Sequence, residues 1–245
     1  MDRMLYIAMT GAQQNMHAQA VNNHNLANAN THGFRQALNY AYTEPMRGPV
    51  FDSRDYVQFA SEAIDFSPGT LQSTGRDLDV AIQGNGFFVV EALDGTLGLT
   101  RGGSFHLDAQ GVLRNESGLP VMGEGGQIAI PPAESISIGG DGTLSIRPLG
   151  NNPQALAALD RLMLVNPELD TLDRGADGLL RDREGQEIPP DANVRVLSGM
   201  LETSNVNTAA ALTRMIELSR QYEMNVQMMK TSSELAKRNN QLLSL

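Results

Sequence analysis

Residues 22–36 read NNHNLANANTHGFRQ, and they decide where the first long element of this chain stops. Asparagine is a poor helix former because its amide competes for nearby backbone groups. Asn22, Asn23, Asn25, Asn28 and Asn30 nevertheless follow directly on an apolar-periodic run. Each amide can donate and accept, so the block can serve carbonyls that a helix end leaves without partners. Gly33 is expected to supply a left-handed cap that stops the helix, and Phe34 to anchor the chain as it leaves. Asn22, Asn23, Asn25, Leu26, Asn28, Gly33 and Phe34 are therefore candidate contact residues.

Upstream, Leu5, Met9, Ala12, Met16, Ala20, Asn23 and Ala27 recur in steps of three and four, which places one stripe on one helical face. The far end of the chain repeats the pattern. Leu212, Met215, Ser219, Tyr222, Val226, Met229, Ser233, Ala236, Asn240 and Leu243 alternate strictly by three and four, the spacing of a heptad seam. Leu218, Met224 and Met228 form a second apolar set off that seam. Two helices alone bury too little apolar surface to offset chain ordering, and no third long amphipathic segment exists in the sequence. The expected neighbours of both helices are each other and other chains.

Between the ends the texture changes. DVAIQ (79–83), GFFVVE (86–91), 97–101, 104–108 and 112–115 are short runs rich in β-branched and aromatic residues. Asp94-Gly95, Gln110-Gly111, Gly125-Gly126, Asp141-Gly142 and Asp177-Gly178 punctuate the region as turn signals. Residues 34–76, with Pro45, Pro49 and Pro68, read as an extended or loosely paired connector. The fold class is α+β, with long N- and C-terminal helices pairing as a coiled-coil-like domain (1–33 with 199–245) and an inserted antiparallel all-β domain (77–198). Proteolysis is expected to leave a core at 77–198.

The formal net charge of −10 disfavours phosphate backbones and anionic lipid surfaces, so neither nucleic-acid binding nor membrane insertion is expected. With no cysteine, disulfides and thiolate chemistry are removed. His17 and His24 stand seven residues apart on a helix, roughly 10 Å along its axis, too far to share an ion. Gly84-Asn85-Gly86 is followed by two phenylalanines and reads as a strand-joining turn. Asp173, Asp177 and Glu184 match part of a calcium loop, but Gly175 and Arg181 fall where ligands are needed. The Met-rich C-terminal stripe has packing rather than soft-metal spacing. No catalytic residue, metal or cofactor is expected; the rival reading is a β-domain binding protein or hydrolase with helical dimerisation ends.

The residues from Asn22 to Arg35 resemble the N-terminal signature of bacterial flagellar rod and hook proteins. LSGMLETSNV (197–206) is similar to the C-terminal signature that opens the last helix of that family, which adds Asn205 and Val206 to the candidate contacts. DLDVAIQGNGFF (77–88) and TRGGSFHLDAQG (100–111) resemble its β-domain strands. MDRMLYIAM, RVLSGMLE and NQLLS look most like the proximal-rod branch, with the distal rod subunit as the alternative. The resemblance implies a structural subunit whose terminal helices assemble into a helical tube around an export channel. It also implies that Leu5, Met9, Ala12, Met16, Leu212, Met215, Tyr222, Val226, Met229 and Leu243 face that assembly. The implied partners are other rod subunits, proximal and distal, with surrounding basal-body ring proteins and, in transit, the flagellar type III export apparatus. The implied location is the basal-body rod crossing the periplasm, reached without a cleaved signal peptide.

Overall fold

The computed structural model describes residues 2–46, 54–148, 157–186 and 188–243. The chain forms mixed helices and antiparallel strands divided between two compact units: 1–29, 36–65 and 206–245, and 30–35 with 66–205. These bounds differ from the expected ones, because residues 36–65 cluster with the helices while 30–35 and 199–205 cluster with the β region.

In the first unit, α1 (Asp2–Ala27) packs against α2 (Thr208–Leu243). The segment expected as a loose connector is an antiparallel hairpin, Ala37–Met46 with Arg54–Ile64, its register shifting between Tyr40 and Ala41. The Asn207 side chain caps α2, accepting the Ala210 N–H at 3.1 Å. Ala8, Ala12, Val21 and Asn25 are the buried positions of α1, and Ala211, Leu218 and Ser232 those of α2. The expected seams are thus displaced. Leu218, placed off the C-terminal seam by the sequence reading, is 2% exposed, whereas Leu212, placed on it, is 50% exposed. Ala8, Ala12, Ala211 and Ser232 are small, and small side chains let two helix axes approach closely; Leu218 is the largest of the other buried positions. Gly11 belongs to the same approach, since a β-carbon there would lie 3.2 Å from the Asn225 amide.

The second unit owes its form to turn chemistry and β-branched runs. Val80–Gln83 pairs with Arg195–Ser198, and Leu71–Ser73 with Met200–Glu202. A five-stranded antiparallel sheet runs in the order Leu164–Val165, Phe87–Glu91, Leu97–Thr100, Leu180–Asp182, Leu172–Arg174. Ala133–Ile138, Thr143–Pro148 and Ala157–Arg161 form a three-stranded one. Its core is continuous and apolar, centred on Phe88 and Phe105, whose rings meet edge to face at 5.2 Å. The short sequence runs between 79 and 115 all carry strands or bridges, and Gly84-Asn85-Gly86 joins two of them.

Candidate assembly interface

The asparagine block makes contacts inside the chain. Asn25, buried at the end of α1, accepts the Ala37 N–H at 2.8 Å and donates to the Ala37 carbonyl at 2.7 Å. One side chain thereby continues the hydrogen bonding of a strand onto a helix. The Asn22 amide donates to the Ala211 carbonyl at the start of α2, and the Asn28 amide to the His24 carbonyl, both at 2.9 Å. Asn23 and Asn30 are exposed, and Leu26 is half-buried. Replacing Asn25 by Ala leaves both backbone groups of Ala37 buried without partners, so Asn25→Ala should cost about 1–3 kcal/mol per orphaned group. Amide exchange at Ala37 measures it, and unchanged protection there would contradict the assignment.

Gly33 does not cap the helix. α1 ends at Ala27, and Gly33 lies beyond it in the second unit with φ +70°. Its N–H donates to the Glu202 carbonyl at 2.8 Å, and a β-carbon on it would stand 2.3 Å from the carbonyl carbon of Arg101. The glycine requirement comes from this close approach rather than from helix termination. Phe34 anchors the same segment: its carbonyl accepts the Asn205 N–H at 3.3 Å, and the Arg174 guanidinium stacks on its ring, 4.7 Å from the centroid. Asn205 also donates through its amide to the Ser67 carbonyl at 3.1 Å, and Val206, the next residue, is buried.

Beneath this segment lies a cluster that the sequence reading missed. Glu202 pairs with Arg35 at 2.6 Å and with Arg101 at 2.9 Å, and all three are almost wholly buried. Arg101 further donates to the Gly84 and Gly86 carbonyls at 2.8 Å each, and Arg35 to the Ser67 carbonyl at 2.7 Å. Burial pushes the Arg101 guanidinium below its ordinary range, against the opposing attraction of Glu202. Every member stands in a quoted signature block, Arg35 in THGFR, Arg101 in TRGGS and Glu202 in GMLETSN. That shared position was the available signal, since charged residues are almost never fully buried unless paired.

The helical faces turned away from the α1–α2 contact are apolar. Leu5, Met9 and Met16 of α1 are exposed, the last two at 57% and 58%, together with Tyr6 and Ile7. On α2 the exposed set is Leu212, Ile216, Tyr222, Met224, Met228 and Leu235, while Met215, Val226 and Met229 are half-buried. Ala12 is taken up by the contact between the two helices. Leu243 ends α2, and its side chain lies outside the described residues.

The partial calcium loop has other partners. Asp177 is held by Arg181 and Asp173 by Arg183, and these hydrogen bonds lower both carboxyls from their usual range. Among the described residues no group of three metal-capable side chains converges, and no helix is long and apolar enough to cross a membrane.

Two family models match the chain: the flagellar basal body rod FlgEFG protein C-terminal model over residues 197–242, and the flagellar hook protein FlgE/F/G D1 domain model over residues 81–146. Similarity to individual proteins extends further. The chain is 40% identical to the flagellar basal-body rod protein FlgF of Salmonella typhimurium, over all of both chains. Against FlgF of Caulobacter vibrioides it is 33% identical over 97% of this chain and 96% of the relative. Against the basal-body rod protein FlgG of Buchnera aphidicola (Schizaphis graminum) it is 32% identical over 97% and 98%.

Proposed function

The chain belongs to the FlgF family of flagellar basal-body rod proteins and is a structural subunit of the bacterial flagellar rod; from that premise we propose that its two terminal helices are the parts that polymerise. The observation that carries this reading is the uncovered apolar face on each helix, Leu5, Met9 and Met16 on α1 and Leu212, Ile216 and Met224 on α2. Exposed apolar patches mark interaction surfaces. Heterologous contacts, in which one face meets a different face of the next subunit, build open helices rather than closed rings when the rotation does not close. The resulting tube surrounds the export channel and transmits torque.

The intrachain helix contact is coiled-coil-like. Ala211, Met215, Leu218, Asn225, Met229, Ser232 and Ala236 recur at intervals of four, three and seven, the spacing that keeps one seam facing a partner helix. Asn22, Asn25 and Asn28 fix the end of α1 for that contact. The neighbours are other rod subunits, proximal ones and the distal FlgG protein, met after passage through the type III apparatus. The 40% identity to FlgF of Salmonella typhimurium, against 32% to FlgG of Buchnera aphidicola, favours the proximal position. The chain is read as a structural protein rather than an enzyme, on the strength of its relatives.

Leu212→Asp and Met9→Asp test the reading. Both side chains are exposed, so the isolated chain should keep its stability to within about 0.5 kcal/mol. In cells the same variants should abolish swimming and leave the subunit out of purified basal bodies. Normal motility in both would remove the helices from the interface.

A further inference from the structure

Glu202 is the one carboxylate among the residues that line a cavity of about 310 Å³ in the second unit. Arg35 and Arg101 line it too, so two guanidinium cations face one anion, a formal excess of one positive charge. The rest of the wall is largely apolar, with Phe66, Leu71 and Phe87 among its members. Arg101 spends its three nitrogens on Glu202 and the carbonyls of Gly84 and Gly86. Arg35 does not: its Nε is a buried donor with no acceptor, on a residue 4% exposed. A buried charge that lacks a counterion is costly and gains when one arrives, and an orphaned buried donor adds to that demand.

We propose that this cavity is a socket for one carboxylate side chain, presented on an apolar-flanked segment of a neighbouring rod subunit. Charge complementarity selects the occupant. The cluster lacks one negative charge, the walls accept methylene groups, and a second copy of this chain alone carries 28 Asp and Glu against 18 Lys and Arg. A guanidinium also matches a carboxylate better than it matches a neutral acceptor, through shorter and stronger charge-assisted hydrogen bonds. The socket itself is independent of how the helices assemble; only the source of its occupant rests on the assembly reading.

Propionate, a carboxylate with a short apolar tail, is the probe. Thermal unfolding of the full-length chain, followed by circular dichroism, should show a saturable rise in Tm of about a few degrees at millimolar propionate. Propionamide and sodium chloride at matched concentration and ionic strength should give none. No rise, or an equal rise with either control, overturns the socket. Leu71 is the cross-strand partner of Glu202, and directly opposed side chains share a face. Leu71→Glu should therefore supply a carboxylate in cis, impairing swimming and weakening the propionate response at least tenfold more than the uncharged Leu71→Gln does. Leu169→Glu, which adds a carboxylate from a different wall element, guards against a local fault in the strand. Full motility of both glutamate variants, with the propionate response lost, would overturn the neighbouring subunit as occupant and leave the socket standing. Retention of the propionate response in both would overturn the socket. Failure of Leu212→Asp and Met9→Asp to affect assembly would leave the propionate result unchanged, which separates the two readings.

Discussion

Glu202→Ala should destabilise the β unit by about 3–5 kcal/mol, the range found when one partner of a buried ion pair is removed. The loss is large because Glu202 has three dependents. It holds Arg35 at 2.6 Å and Arg101 at 2.9 Å, and its Oε1 accepts the Gly69 N–H at 3.0 Å. Removing the carboxylate strands two almost wholly buried cations, and burial already disfavours the charged form of Arg101. Urea unfolding of the full-length chain, read by far-ultraviolet circular dichroism, should show the transition of the β unit moved to markedly lower denaturant. The concurrent variant Arg35→Met, Glu202→Leu, Arg101→Met removes all charge at once and should recover most of the loss, since apolar replacement of a complete buried cluster is often neutral or better. A single Glu202→Ala that unfolds like the parent would show that the cluster contributes nothing, and a triple variant no better than the single would assign the loss to packing.

The strands of the β unit were legible because their signals are local. Phe87–Glu91 and Leu97–Thr100 are a short apolar pair joined through Asp94-Gly95, and the pattern suffices to place a hairpin there. The existence of α1 and α2 was legible from periodicity for the same reason. Which face of each helix turns inward was not. Leucine and methionine mark a seam by hydrophobicity, but small side chains hold most of the buried positions, Ala8, Ala12, Ala211 and Ser232, beside Leu218. Most of the larger residues are left for the outside, where the assembly reading needs them. Arg35, Arg101 and Glu202 are far apart in the chain, and each alone looks like a solvated charge. Their convergence depends on the pairing of Leu71–Ser73 with Met200–Glu202 and on the docking of 30–35, neither of which any single segment encodes. Ala37–Met46 and Arg54–Ile64 read in the sequence as part of a connector because the prolines of 34–76 argue against strands, although a two-stranded ribbon has only edges, where the proline at 45 is tolerated.

Gly33→Ala should release residues 30–35 from the β unit while leaving the core of that unit folded. Two costs combine. An L-residue at φ +70° loses about 1–2 kcal/mol relative to glycine, and the new methyl would stand 2.3 Å from the Arg101 carbonyl carbon and 2.4 Å from the Gly102 nitrogen. Those are backbone atoms between two glycine-rich turns and a buried guanidinium, so they cannot yield as the end of a flexible side chain would. Against this strain the docked segment has the Gly33 N–H to Glu202 bond, the Phe34 ring under Arg174 and the Arg35 ion pair. With Gly33 forced out, the first two are lost and Arg35 is drawn toward solvent. Glu202 keeps Arg101 and the Gly69 N–H, which is why the apolar core around Phe88 should survive. Trypsin reports the difference directly, because the bond after Arg35 is protected by a side chain 4% exposed. Cleavage there should be at least tenfold faster in Gly33→Ala at unchanged circular dichroism, and swimming should fall as the link between α1 and the β unit loses its anchor. An intact Arg35–Gln36 bond under conditions that digest the exposed chain would mean that the segment tolerates a β-carbon, and the close approach at Arg101 would then have no role in holding the subunit together.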